Sequence, residues 1–135
     1  MENSKVTYLQ MIQEIIARLS NIAPIIKGFS ITVTMAAITI IGNESLGSVI
    51  KCSFIAPMLA LCILDVYYLH LERKYRCLYE AVRNNDRPVD FSLKITSDID
   101  TSSVTIWKVL SSKCVLLFYL PLFIVYFLCI NISMN

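Results

Sequence analysis

Apolar residues in this chain fall into three blocks separated by polar, charge-bearing stretches. The first runs from Ile22 to Ile41 (IAPIIKGFSITVTMAAITII) and is interrupted by Lys27 alone. The second, Val49 to Leu69, carries Lys51 near one end and Asp65 near the other. The third, Val109 to Ile132, has no charge at all between Cys114 and Ile130. A helix needs about 20 predominantly apolar residues to cross the hydrocarbon core of a bilayer, and each block meets that length. The pattern therefore predicts an all-α integral membrane protein with three transmembrane helices. Pro24, Pro57 and Pro121 lie in or at the head of these spans and predict local kinks. The Ser, Thr and Ala content of the first span suits close helix packing.

Two amphipathic stretches flank the spans. Over residues 5–20, Val6, Leu9, Ile12, Ile15, Ile16 and Leu19 recur at helical spacing, with Gln10, Gln13, Glu14 and Arg18 on the other face. Asn21 and Pro24 are expected to end this N-terminal amphipathic helix before the membrane. It either lies on the inner leaflet or packs against a second cytoplasmic helix. That second helix is a cytoplasmic extension of the second transmembrane helix. Leu64, Tyr68, Leu71, Tyr75, Leu78 and Val82 form a heptad-like seam that starts inside the span and continues beyond it. Glu72, Arg73, Arg76, Glu80 and Arg83 occupy the other faces. Glu72 with Arg76, and Arg76 with Glu80, are four apart, each pair worth a few tenths of a kcal/mol. The helix is expected to reach about Arg83, where Asn84, Asn85, Asp86 and Pro88 stop it. So short a seam fits an intramolecular helix pair or a contact between subunits. Residues 88–103 read as a cytoplasmic loop with a short extended piece at Phe91 to Ile95. Ser102 or Ser103 is placed to cap the helix that starts at Val104, and Trp107 with Lys108 marks a membrane interface.

Composition and charge sharpen this picture. With 135 residues, 56% apolar and 16% charged, and a mean hydropathy of +0.65, the chain is too apolar for an ordinary soluble domain. The first apolar block starts late and lacks a short basic leader, so it reads as a retained span rather than a cleaved signal. The loop Gly42 to Ser48 carries only Glu44, whereas Arg73, Lys74, Arg76, Arg83, Arg87 and Lys94 lie between spans two and three. Lys5 and Arg18 precede span one. The positive-inside rule then places the N-terminus in the cytoplasm and the tail Ser133 to Asn135 outside. A two-span reading, with the first block lying in the interface, would break this agreement. The net charge of +2 leaves no extended basic surface for nucleic acid.

Candidate chemistry is sparse. His70 is the single histidine, only Gly28, Gly42 and Gly47 are glycine, and the five cysteines form no C-x-x-C pair. No catalytic, cofactor or metal site is expected, and the chain does not read as an enzyme. Asp65 is the exception, because a carboxylate within a span is costly and by default a functional candidate. Three roles are open to it: an ion pair with Lys27, polar glue between subunits, and a proton or ion pathway.

The run LDVYYLHLERKYRCLYEAVR with Asp90–Phe91–Ser92 after it resembles a family of small bacterial multi-span membrane proteins. The match lies on Leu64–Asp65, Tyr67–Leu69, Glu72–Arg73, Tyr75–Arg76, Leu78–Tyr79, Val82–Arg83 and Asp90–Ser92, and the segment Lys27 to Thr32 is similar too. The resemblance implies no enzymatic activity. It implies a place in the inner membrane near small multi-span proteins of anti-phage defence, including effectors that damage that membrane. No nucleotide-sensing domain is recognised, so a trigger would come from a partner or through the short cytoplasmic region. Two functional readings follow. One is an effector that forms homo-oligomers through its spans and helix seam and perturbs the bilayer. The other is a membrane anchor whose Arg-rich helix recruits a cytosolic protein.

Overall fold

The computed structural model describes residues 2–42, 48–95, 101 and 104–134. Glu44, Ser102, Ser103 and Asn135, on which the loop, capping and tail expectations partly rest, lie outside them. Among the described residues the chain is helical or irregular, with no strand. Its elements are α1 (Glu2–Ile41), α2 (Ser48–Ser53), α3 (Ile55–Arg83), α4 (Ile106–Leu110) and α5 (Lys113–Met134). Three stretches are long and apolar enough to cross a membrane: Asn3–Ile41, Ile50–Arg83 and Lys113–Ser133.

The N-terminal amphipathic helix and the first span are one helix, not two. α1 runs unbroken for 40 residues with Pro24 inside it. An interior proline removes one backbone bond and costs about 3 kcal/mol. Contacts with α3 on both sides of the proline offset that cost. On one side Tyr8 and Ile12 are fully buried with Leu78 and Val82; on the other, Lys27 is bonded to Asp65. The N-terminal segment thus pairs with the end of α3. Its inward face uses Tyr8, while Val6, expected on that face, is exposed.

The second apolar block is interrupted at Phe54, between α2 and α3. Pro57 has no N–H for the carbonyl of Ser53, and its ring crowds that carbonyl. The departure is shallow: Phe54 keeps helical angles (φ −72, ψ −12), and the bond from Met58 N–H to its carbonyl is long, 3.3 Å. The third block is also divided, at Ser111–Ser112, between α4 and α5. Serine pairs are a recognised cause of helix kinks. Here Ser112 N–H turns to the Val109 carbonyl at 3.0 Å, while the amides of Val115 and Leu116 share the Ser112 carbonyl. Pro121, by contrast, sits within a continuous α5.

α3 ends in a Schellman-type cap. Asn85 takes a left-handed conformation (φ 65), which Asn tolerates better than most residues. Asp86 N–H bonds the Ala81 carbonyl at 2.9 Å and Asn85 N–H the Val82 carbonyl at 3.3 Å. Lys5 ties the start of α1 to this cap, donating to the Arg83 carbonyl (2.8 Å) and to Asn85 Oδ1 (2.6 Å).

Beyond the cap, residues 86–95 form an irregular strap, not the extended piece expected at Phe91 to Ile95. Phe91 itself has φ 53, an unfavourable conformation for a bulky residue that must be held by its surroundings. Tyr8 supplies part of that hold, its hydroxyl donating to the Ser92 carbonyl and its ring lying 5.6 Å from the Phe91 ring. Arg87 pairs with Asp90 and donates to the Lys94 carbonyl at 3.1 Å. Leu93 and Ile95 then cover the Tyr8–Ile12–Leu78–Val82 cluster.

The three long helices alternate in direction. α1 and α3 are antiparallel, with Tyr8 near Leu78, Lys27 at Asp65, and Ile41 in one cluster with Met58. α5 runs parallel to α1, pairing Tyr119 with Ser30 and Ser133 with Ile41. Three clusters succeed one another along the bundle. Tyr8, Ile12, Leu78 and Val82 form one end; Val66, Val109, Val115 and Tyr119 the middle; Ala37, Met58, Tyr126 and Ile130 the other end.

Candidate functional site

The buried ion pair predicted as one option for Asp65 is formed. Lys27 Nζ lies 2.9 and 3.1 Å from the two Asp65 carboxylate oxygens. The Asp65 side chain is 0% exposed and that of Lys27 25%, so the two partners are unequal: the acid is dry, the ammonium reaches a boundary. The Lys27 ammonium also lies 5.8 Å from the centre of the Phe118 ring, within range of a cation–π attraction.

Next to this pair the inner face of α1 stays polar for two more turns. Ser30 and Thr34 follow Lys27 at helical spacing, and both are buried. Their hydroxyls bond back to the carbonyls of Ile26 (2.9 Å) and Ser30 (2.7 Å), which satisfies them within the helix. The Tyr119 hydroxyl of α5 reaches this group, 3.4 Å from Ser30 Oγ and 3.5 Å from the Leu61 carbonyl. Then the lining changes. Ala37, Met58, Tyr126 and Ile130 make an apolar layer.

A second polar group closes the far end. Lys51 is buried and donates to Ser133 Oγ, whose own hydroxyl donates to the Ile41 carbonyl at 2.9 Å. The Tyr126 hydroxyl donates to the Lys51 carbonyl. The clasp joins α1, α2 and α5 and satisfies a carbonyl at the end of α1 that no residue of that helix could serve. The core therefore reads polar, apolar, polar from the Lys27 level to the Lys51 level.

The remaining sequence-predicted residues separate into two groups. Glu72 is buried, and Arg76 donates to its Oε1 from Nε (3.0 Å) and Nη2 (2.6 Å). Arg73 is half-buried, whereas Arg76, Glu80 and Arg83 are exposed. Of the proposed seam, Leu78 and Val82 are fully buried and Tyr75 packs against them. Tyr68 and Leu71 are half-buried, and Leu64 is 41% exposed. The seam thus packs at its Val82 end and turns outward at Leu64. The cause is the number of neighbours. Near Val82, among the described residues, α3 packs against α1 and the strap. Further along it must meet α1 through Asp65 and Met58 and also α4 and α5 through Cys62, Val66 and Leu69. Its buried arc shifts accordingly, and Leu64 is left outside.

Sequence reasoning did not single out Ser30, Thr34, Tyr119, Ser133, Lys5 or Tyr8 for these roles. For Ser30 and Thr34 a signal was present, since they share a helical face with Lys27. Among the described residues no group of three His, Cys, Asp or Glu side chains is placed to hold a metal ion. Comparison of the chain with protein-family models, with curated proteins and with solved structures returns no match.

Proposed function

We propose that this chain is a multi-pass protein of the bacterial inner membrane that assembles with its own copies and permeabilises the bilayer when triggered, as an effector or accessory in anti-phage defence. The observation that carries the permeability reading is the buried Lys27–Asp65 pair at the head of a polar face. Ionisable groups inside a span are expensive and are by default functional-site candidates. Ser30, Thr34 and Tyr119 extend the polar surface inward, and the Ala37–Met58–Tyr126–Ile130 layer separates it from Lys51 and Ser133. On this reading the single bundle is the closed form. The Lys27 and Asp65 charges are neutralised within one chain, and opening requires helices of several copies to exchange partners. The defence setting and the N-in, C-out orientation rest on the resemblance around Leu64 to Ser92 and on the distribution of basic residues. The test is induced expression in cells carrying a membrane-potential dye, with and without phage challenge. Collapse of the potential on challenge supports the reading; unchanged potential and growth refute it.

A second reading, a membrane anchor for a cytosolic partner, is favoured by one feature. The Tyr8 end of the bundle is a helix pair with its own core and strap, and it presents Arg73 and Arg83 on its surface. Such a partner would co-purify in stoichiometric amount after mild detergent extraction. It would be lost when Arg73, Arg76 and Arg83 are all changed to Glu, and retention by that variant rejects the anchor.

A further inference from the structure

Two apolar clefts lie side by side around α4. The larger, about 500 Å³, runs along α5 past Leu116, Leu120, Phe123 and Phe127 and is walled by Cys62 and Leu110. The smaller, about 250 Å³, lies between α3 and α4 against Ile63, Tyr67, His70 and Ile106, and the same Cys62 and Leu110 form its wall. Leu110 is the ridge between them. Lys108 and Lys113, both exposed, flank Leu110 and the Ser111–Ser112 turn along the chain. The chain has no Asp or Glu from Val104 to its last residue. On the neighbouring α3, Asp65 is committed to Lys27 and Glu72 to Arg76.

We infer that these clefts are the seat of an anionic phospholipid, its two acyl chains straddling Leu110 and its headgroup phosphate held between Lys108 and Lys113. The charge is complementary. From Lys113 to Asn131, the far end of the larger cleft's lining, α5 rises about 27 Å, more than the half-thickness of a hydrocarbon core about 30 Å thick, so the cleft is long enough for one leaflet's chain. A second copy of this chain fits the larger cleft less well, because a symmetric pairing through α5 brings two Lys113 ammonium groups together. Trp107, 73% exposed beside Lys108, follows Ile106 of the smaller cleft's lining and suits an interfacial anchor. The inference rests on the bilayer placement of the helices but not on pore formation.

Trp107 is the only tryptophan and reports directly on the site. The full-length protein is reconstituted in vesicles of phosphatidylcholine containing increasing fractions of chain-brominated lipid, and Trp107 fluorescence is followed. Brominated phosphatidylglycerol is expected to reach half-maximal quenching at a mole fraction at least threefold lower than brominated phosphatidylcholine. The double variant K108Q/K113Q should bring the two curves together while keeping quenching itself, which shows that the protein is still inserted. Identical curves for the two lipids in the unaltered protein overturn the inference, as does a phosphatidylglycerol preference that survives the double variant. Quenching by neither lipid overturns the bilayer placement as well, which distinguishes that failure from failure of the site.

Discussion

Replacing Lys27 by Met keeps the apolar stem of the side chain and removes its charge, leaving the Asp65 carboxylate with no ion partner in a dry position. Breaking a buried pair by removing one member costs about 3–5 kcal/mol. The reciprocal change, Asp65→Asn, is milder, because Lys27 is a quarter exposed and its flexible stem can carry the ammonium to the interface. A lost hydrogen bond of this kind costs about 1–2 kcal/mol. Unfolding of the purified variants in detergent, by heat or denaturant, should rank Lys27→Met as the less stable by at least about 1 kcal/mol at pH 7. Equal losses for the two variants would refute the reading that an enclosed, unpaired carboxylate dominates this site.

Other consequences of the structure are open to test. Leu78→Ala should cost about 2–5 kcal/mol, as for a fully buried leucine, while Leu64→Ala at the outward end of the seam should lie within about 0.5 kcal/mol of zero in the same unfolding assay. Asn85→Gly and Asn85→Ala both give up the hydrogen bond from Lys5, but the Ala variant should be the less stable by about 1 kcal/mol, since glycine adopts the left-handed cap freely; equal effects would contradict the cap. The Ser92 N–H, with Arg87 beside it, holds the Asp90 carboxyl below the usual carboxylate range. Its contribution to the strap is therefore present above about pH 4 and lost as pH falls through the lowered value. Amides of residues 86–95 should lose hydrogen-exchange protection over that acid window in the unaltered protein, and in Asp90→Asn protection should already be reduced at neutral pH.

Much of this architecture was legible from residue types alone. Block length pointed to the three stretches long and apolar enough to cross a membrane, and the Asn84–Asn85–Asp86 cluster pointed to the end of α3 because its turn chemistry is local. The Lys27–Asp65 pairing was legible because two isolated charges in apolar spans have few other partners. What escaped was decided between elements. Pro24 signals a helix end locally, yet α1 continues through it because α3 holds both flanks. The heptad spacing from Leu64 to Val82 is real, but a seam read from one helix assumes one neighbour, and α3 has more than one along half its length. The Lys51–Ser133 clasp joins residues 82 positions apart, and no pattern in either segment announces it.

In the proposed function the Lys27–Asp65 pair keeps the bundle closed. The most direct measurement is dye retention by sealed vesicles reconstituted with the purified protein, with Lys27→Met, and with the charge-swapped pair Lys27→Asp and Asp65→Lys. The account predicts tight vesicles for the unaltered protein, leak for Lys27→Met, and restored tightness for the swap. Equal retention by all three, or leak from the swap as large as from Lys27→Met, would contradict it.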